Sequence, residues 1–161
     1  MREIRLSPLG QHLSLAEIRG IVHPVAQHIG ARILTIDEPD TARSFVAVML
    51  EEPQPWATSR RIYLLYSFDH DAWAVATPSR LGRAQEREDG APPLGWTHLY
   101  EPEFLDHEGL IAAMTDFHGI ELWSSYDLTR PVPEDFPARV PGDLGYWRPQ
   151  RLGDALFNWW D

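Results

Sequence analysis

The chain contains no cysteine and no lysine, and its one asparagine is Asn158. Without cysteine there is no disulfide, no thiolate metal site and no thiol nucleophile. Without lysine there is no Schiff-base chemistry. Asn158 is followed by Trp159 and Trp160, so no N-glycosylation acceptor exists. No run approaches the roughly 20 apolar residues that span a bilayer, and Met1–Leu6 lacks the apolar core of a secretory signal. The expectation is a cytoplasmic protein with no membrane partner. Signature motifs are missing as well: no Gly-x-Ser-x-Gly elbow, no phosphate-cradling glycine loop, no dinucleotide fingerprint and no His-Glu-x-x-His. No cofactor and no bound metal are expected.

All 14 basic residues are arginine, against 24 acids, for a net charge of −10. That balance disfavours nucleic acid, because phosphate contacts need a basic footprint. The arginine-only usage fits GC-rich coding and suggests a bacterial source. The charge is unevenly spread. Residues 1–80 hold 8 arginines and 9 acids, whereas residues 81–161 hold 6 arginines and 15 acids. Between Glu88 and Asp127 there are nine acids and no arginine, interleaved with Trp96, Tyr100, Phe104, Trp123 and Tyr126.

What is present is enough for one globular domain across residues 1–161, with 43% hydrophobic and 24% charged residues. Ser14 with Glu17 three residues later is a capping box. Leu15, Ile18, Val22, Val25 and Ile29 then follow at helical spacing up to Gly30. Pro24 inside that run predicts a kink or two short helices. Strand patterns cover Ala31–Ile36, Ser44–Leu50, Arg61–Phe68 and Ala72–Thr77, the last two joined by the turn Asp69-His70-Asp71. Residues 61–66 are apolar on both faces, which marks a central strand. Residues 78–95 form a mixed-charge loop, and Trp96–Tyr100 is one more strand. A helix is expected from about Phe104 to Phe117, ended by Gly119. Ile120–Leu128 fits strand or helix equally. Five prolines between Thr129 and Pro149 predict an extended segment wrapping the surface. Arg151–Trp160 closes the chain as a helix, with Leu152, Leu156 and Trp159 inward and Phe157 and Trp160 to the side. The fold class is α+β, an antiparallel meander of about five strands with an N-terminal helix packed on it and two helices in the C-terminal half.

Two functional readings follow. The first is a non-enzymatic acidic binding protein, of the kind that inhibits or gives immunity to a toxin such as a nuclease by occupying its basic site. Charge steers such an encounter and aromatic anchors hold it. Its contact residues would be Glu101, Glu103, Asp106, Glu108, Trp123, Tyr126 and Trp160. The second is a small hydrolase-like enzyme or metal protein built on the dense cluster His98–Glu108, with His98, Glu101 and His107 as acid/base or ligand groups. The aromatic C-terminal helix adds a third possibility, docking into a larger assembly or a homo-oligomer. The turn Asp69-His70-Asp71 reads as ordinary turn chemistry, since neighbouring residues there point to opposite faces.

Overall fold

The computed structural model describes residues 2–38, 44–53, 60–78 and 102–158. Helix α1 spans Leu15–Ile29: the Ser14 hydroxyl accepts the Glu17 amide at 3.1 Å, and Gly30 ends it in the left-handed conformation at φ 75°. Pro24 does not divide this helix. The carbonyl it leaves unbonded belongs to Gly20, which is exposed with open space around it, so water can take the missing donor's place. Meanwhile Ile18, Val22, Val25 and Ala26 are buried along one stripe and hold both halves to the sheet.

The sheet is a meander of five antiparallel strands in chain order: β1 Arg32–Asp37, β2 Phe45–Glu52, β3 Arg60–Ser67, β4 Ala72–Pro78 and β5 Pro102–Leu105. The architecture is α+β, with the turn between β3 and β4 at residues 68–71, one residue longer than the expected Asp69-His70-Asp71, and Asp71 left-handed at φ 47°. β3 is central, as its two apolar faces require. Along β2, Phe45, Ala47 and Met49 point to one face and Val46, Val48 and Leu50 to the other, and all six are fully buried. A sheet buried on both faces needs two covers.

One cover is helical: α1 packs beside α2, Glu108–His118, whose Leu110, Ala113 and Met114 are buried. The other is the C-terminal chain, which contributes Trp123, Leu128, Phe136, Leu152, Leu156 and Phe157. It carries short helices α3 Ser125–Leu128, α4 Asp143–Trp147 and α5 Leu152–Leu156, joined by irregular backbone. Residues 129–149 are irregular, a succession of turns and bends with α4 among them, and their prolines keep any longer helix from forming.

Three expectations are corrected here. Residues 102–105 form a strand and not the first turn of a helix, because Phe104 is buried, its ring close against Gly153, and β5 completes the ladder with β4. The helix consequently starts at Glu108. The final helix ends at Leu156, and Phe157 is fully buried between Phe45 and Phe104, at ring separations of 6.1 and 5.8 Å, not turned aside. Trp73 is in the core as expected, at 3% exposure. Trp56, Trp96, the strand expected at 96–100, most of the loop 78–95, Trp159 and Trp160 lie outside the described residues. Among the described residues no helix is long and apolar enough to cross a membrane.

Candidate functional site

The acidic stretch becomes a surface where β5 ends and α2 and α3 begin. Glu103, Asp106 and Glu108 are all exposed. Asp106 is the residue that joins the elements. Its two carboxylate oxygens accept the Ser125 amide and the Ser125 hydroxyl, each at 2.8 Å. Ser124 caps α3 by accepting the Asp127 amide at 3.1 Å. These bonds seat α3 against the end of β5 and present Tyr126, 72% exposed, next to the acidic connection. The Arg130 guanidinium lies 5.7 Å from the Tyr126 ring, at the edge of this surface. Among the described residues Glu103, Glu108 and Asp116 form no ion pair, so their charge is directed at solvent.

Trp123 does not belong to that surface. It is 5% exposed, its amide donates to the Trp73 carbonyl at 2.9 Å, and the Arg2 guanidinium stacks 4.4 Å from its ring. Burial of so large a ring against the sheet makes it core, so of Trp123 and Tyr126 only Tyr126 is exposed. Glu101 and Trp160 lie outside the described residues.

The acid/base reading depends on His107, and both of its ring nitrogens are occupied. His107 is the N-cap of α2, where Nδ1 accepts the Leu110 amide at 3.0 Å. A nitrogen that accepts carries no proton, so the proton of the neutral ring is on Nε2, which meets Glu52 Oε1 at the end of β2. Both side chains are largely buried, at 14% and 16% exposure. His107 therefore locks the helix start to the sheet, a role usually taken by Ser, Thr, Asp or Asn. His98 and Glu101, the other members of that cluster, lie outside the described residues. Among the described residues no group of three or more His, Asp or Glu side chains is placed to hold a metal ion.

A second polar cluster lies at the β3–β4 turn, where the sequence puts a His between two carboxylates that reads as ordinary turn chemistry. His70 Nε2 contacts the Pro137 carbonyl at 2.7 Å, and its ring packs 4.9 Å from Phe136. Arg139 Nε reaches Asp69 at 3.3 Å, and its Nη2 donates to the Ser7 carbonyl. The Ser7 amide in turn donates to the Asp69 carbonyl at 2.7 Å. Tyr66 donates to Asp71 at 2.8 Å and accepts the Leu13 amide at 3.1 Å. Burial first, with Asp71 adding to it, pushes the Tyr66 phenol far above the ordinary tyrosine value. One turn thus fastens the N-terminal segment, the loop before α1 and the proline-rich segment to the same hairpin. Comparison of the chain with protein-family models, with curated proteins and with solved structures finds no match in any of the three.

Proposed function

We propose that the protein is a non-enzymatic acidic binding module whose recognition surface is the junction of β5, α2 and α3, and whose partner is a basic protein. The observation that carries this reading is the pair of bonds from Asp106 to Ser125, which ties the short helix bearing the exposed Tyr126 to the acidic β5–α2 connection. Carboxylates at the rim raise the encounter rate with a cationic surface, and a desolvated tyrosine supplies the anchor. A purely solubilising face would need the charge but not the aromatic ring. The saturation of both His107 nitrogens favours this reading over acid/base chemistry at the same end of the molecule. An inhibitor or immunity role against a toxin with a basic active site is the concrete form that fits a net charge of −10.

The test is affinity capture from native cell extract with three baits: the wild type, Glu103→Arg/Glu108→Arg, and Tyr126→Ala. Asp106 is left intact because it holds α3 in place. The expected result is a basic protein retained by the wild type and depleted with both variants. Retention of no basic protein, or equal retention by all three baits, contradicts the proposal.

A further inference from the structure

We propose that His70 is an acid-sensitive latch, which in its neutral form clamps the proline-rich segment 131–141 over the sheet and releases that segment when it is protonated. The inference stands apart from the recognition surface and does not depend on it.

The tautomer is fixed by chemistry. A carbonyl oxygen can only accept, so the contact at 2.7 Å to Pro137 requires the proton on Nε2. Nδ1 is then a lone pair, and it is buried with no hydrogen-bond partner. A second proton would have to go there, creating an N–H enclosed in the structure without an acceptor. Such a group costs the full desolvation of a charged donor. The ring can escape this cost only by turning toward solvent, and turning breaks the bond to Pro137 and the packing on Phe136.

The charged groups around the ring come from four elements. Asp69 and Asp71 flank it on the turn, and Asp69 favours the protonated form. Arg139 on the proline-rich segment opposes protonation. Asp143, at the start of α4, lines a shallow cavity with His70 on one side, and Arg2, Glu3 and Arg5 of the N-terminal segment line another. Arg5 and Glu3 neutralise each other through a 2.6 Å pair. Burial outweighs the rest and holds the imidazole below its ordinary value.

Segment 131–141 is suited to release. Four of its residues are prolines without an amide, and among the described residues Phe136 is its only amide with a backbone bond, to Pro133 at 3.1 Å. Its polar attachment therefore rests on Pro137 and Arg139 at the hairpin turn, beside the packing of Val132, Phe136 and Ala138 on the sheet face. Opening there also withdraws the Arg139 guanidinium from the Ser7 carbonyl and from Asp69, so the Ser7 amide bond to Asp69 loses the group that braces it.

Residue-resolved hydrogen exchange of the full chain, corrected for intrinsic rates, tests the latch between about pH 7.5 and pH 5.5. One titrating group changes an opening equilibrium by at most about tenfold per pH unit. The Ser7 and Phe136 amides are expected to lose protection several-fold on acidification, while Leu64 and Leu65 in β3 keep theirs. In His70→Phe, which keeps a packed ring and cannot titrate, the pH dependence at Ser7 and Phe136 should vanish. Equal loss in wild type and variant overturns the proposal. Should the variant not fold, the wild-type imidazole resonances decide. His70 carrying its proton on Nε2 and titrating below the ordinary imidazole value supports the latch. His70 titrating at or above that value while the Phe136 amide stays protected overturns it.

Discussion

The two covers of the sheet bury similar apolar side chains and are held in different ways. On one face, α1 and α2 satisfy their own backbone groups, so the apolar stripe of Ile18, Val22 and Val25 and that of Leu110 and Met114 need only pack. On the other face, the C-terminal chain has little regular structure, and its backbone must find partners one at a time. It finds them in isolated bonds, the Pro137 carbonyl with His70 and the Leu152 amide with the Arg130 carbonyl, while the Arg139 and Arg151 side chains fasten the segment by donating to the Ser7 and Pro102 carbonyls. A helical cover is secured by a repeating ladder, an irregular one by a few polar points. The second kind can fail at one residue, and it can respond to pH.

The largest expected effect checks that the irregular cover is nonetheless true core. Phe157→Ala should cost about 3–5 kcal/mol, comparable to the about 2–5 kcal/mol for Met114→Ala on the helical side, both read from denaturant midpoints. A Phe157 loss below that of a surface residue would mean this face is only loosely covered. Next is Gly153→Ala. A β-carbon there would sit 2.1 Å from the Phe104 ring, so overpacking of about 1–3 kcal/mol should outweigh the helix-propensity gain of roughly 1 kcal/mol from alanine. Adding Phe104→Leu should recover part of the loss in a double-mutant cycle, and a neutral Gly153→Ala would show that α5 does not sit so close to β5.

Removing a fastening point should cost less. Arg139→Ala leaves the Ser7 carbonyl and Asp69 without their partner and should destabilise by about 1–2 kcal/mol, with proteolysis concentrated in residues 131–141. Its counterpart on the helical side, removal of the Ser14 cap, should cost about 1 kcal/mol without selective cleavage there. The smallest effect is the pH dependence of global stability. Because His70 is held below its ordinary value in the fold, the unfolded chain binds the extra proton first. Stability from this residue is complete above about pH 6.5 and declines as pH falls below it. Tyr66 behaves in the opposite sense: its raised phenol favours the fold less and less as pH rises above about 10. Denaturation curves of wild type, His70→Phe and Tyr66→Phe across pH separate the two contributions.

The same division governs what was legible in the sequence. Helix α1, the strands β1 to β4 and the hairpin turn follow from local periodicity, capping and turn chemistry, all of which act within a few residues. Strand β5 was hidden because four residues beginning with proline carry almost no pattern, and Phe104 is drawn into place by Gly153, about fifty residues on. Phe157 and Trp123 were misplaced for the same reason: their burial is decided by β2 and β4, far away in the chain. His107 stood out as a reactive group because composition cannot show that both its nitrogens are bonded. Of the proposed recognition surface, the acids and Tyr126 are visible in the sequence, but the Asp106–Ser125 bridge that ties α3 to the β5–α2 connection is not.

The most direct test of the recognition claim is the association rate of the wild type with the basic protein it captures, measured across ionic strength, beside the Glu103→Arg/Glu108→Arg variant. Steering by these carboxylates gives a wild-type rate that falls steeply between about 50 and 500 mM salt, and a variant rate roughly tenfold or more lower at low salt with a much flatter dependence. A wild-type rate insensitive to salt, or a variant with the same rate and slope, would contradict it and leave the acidic face with solubility alone.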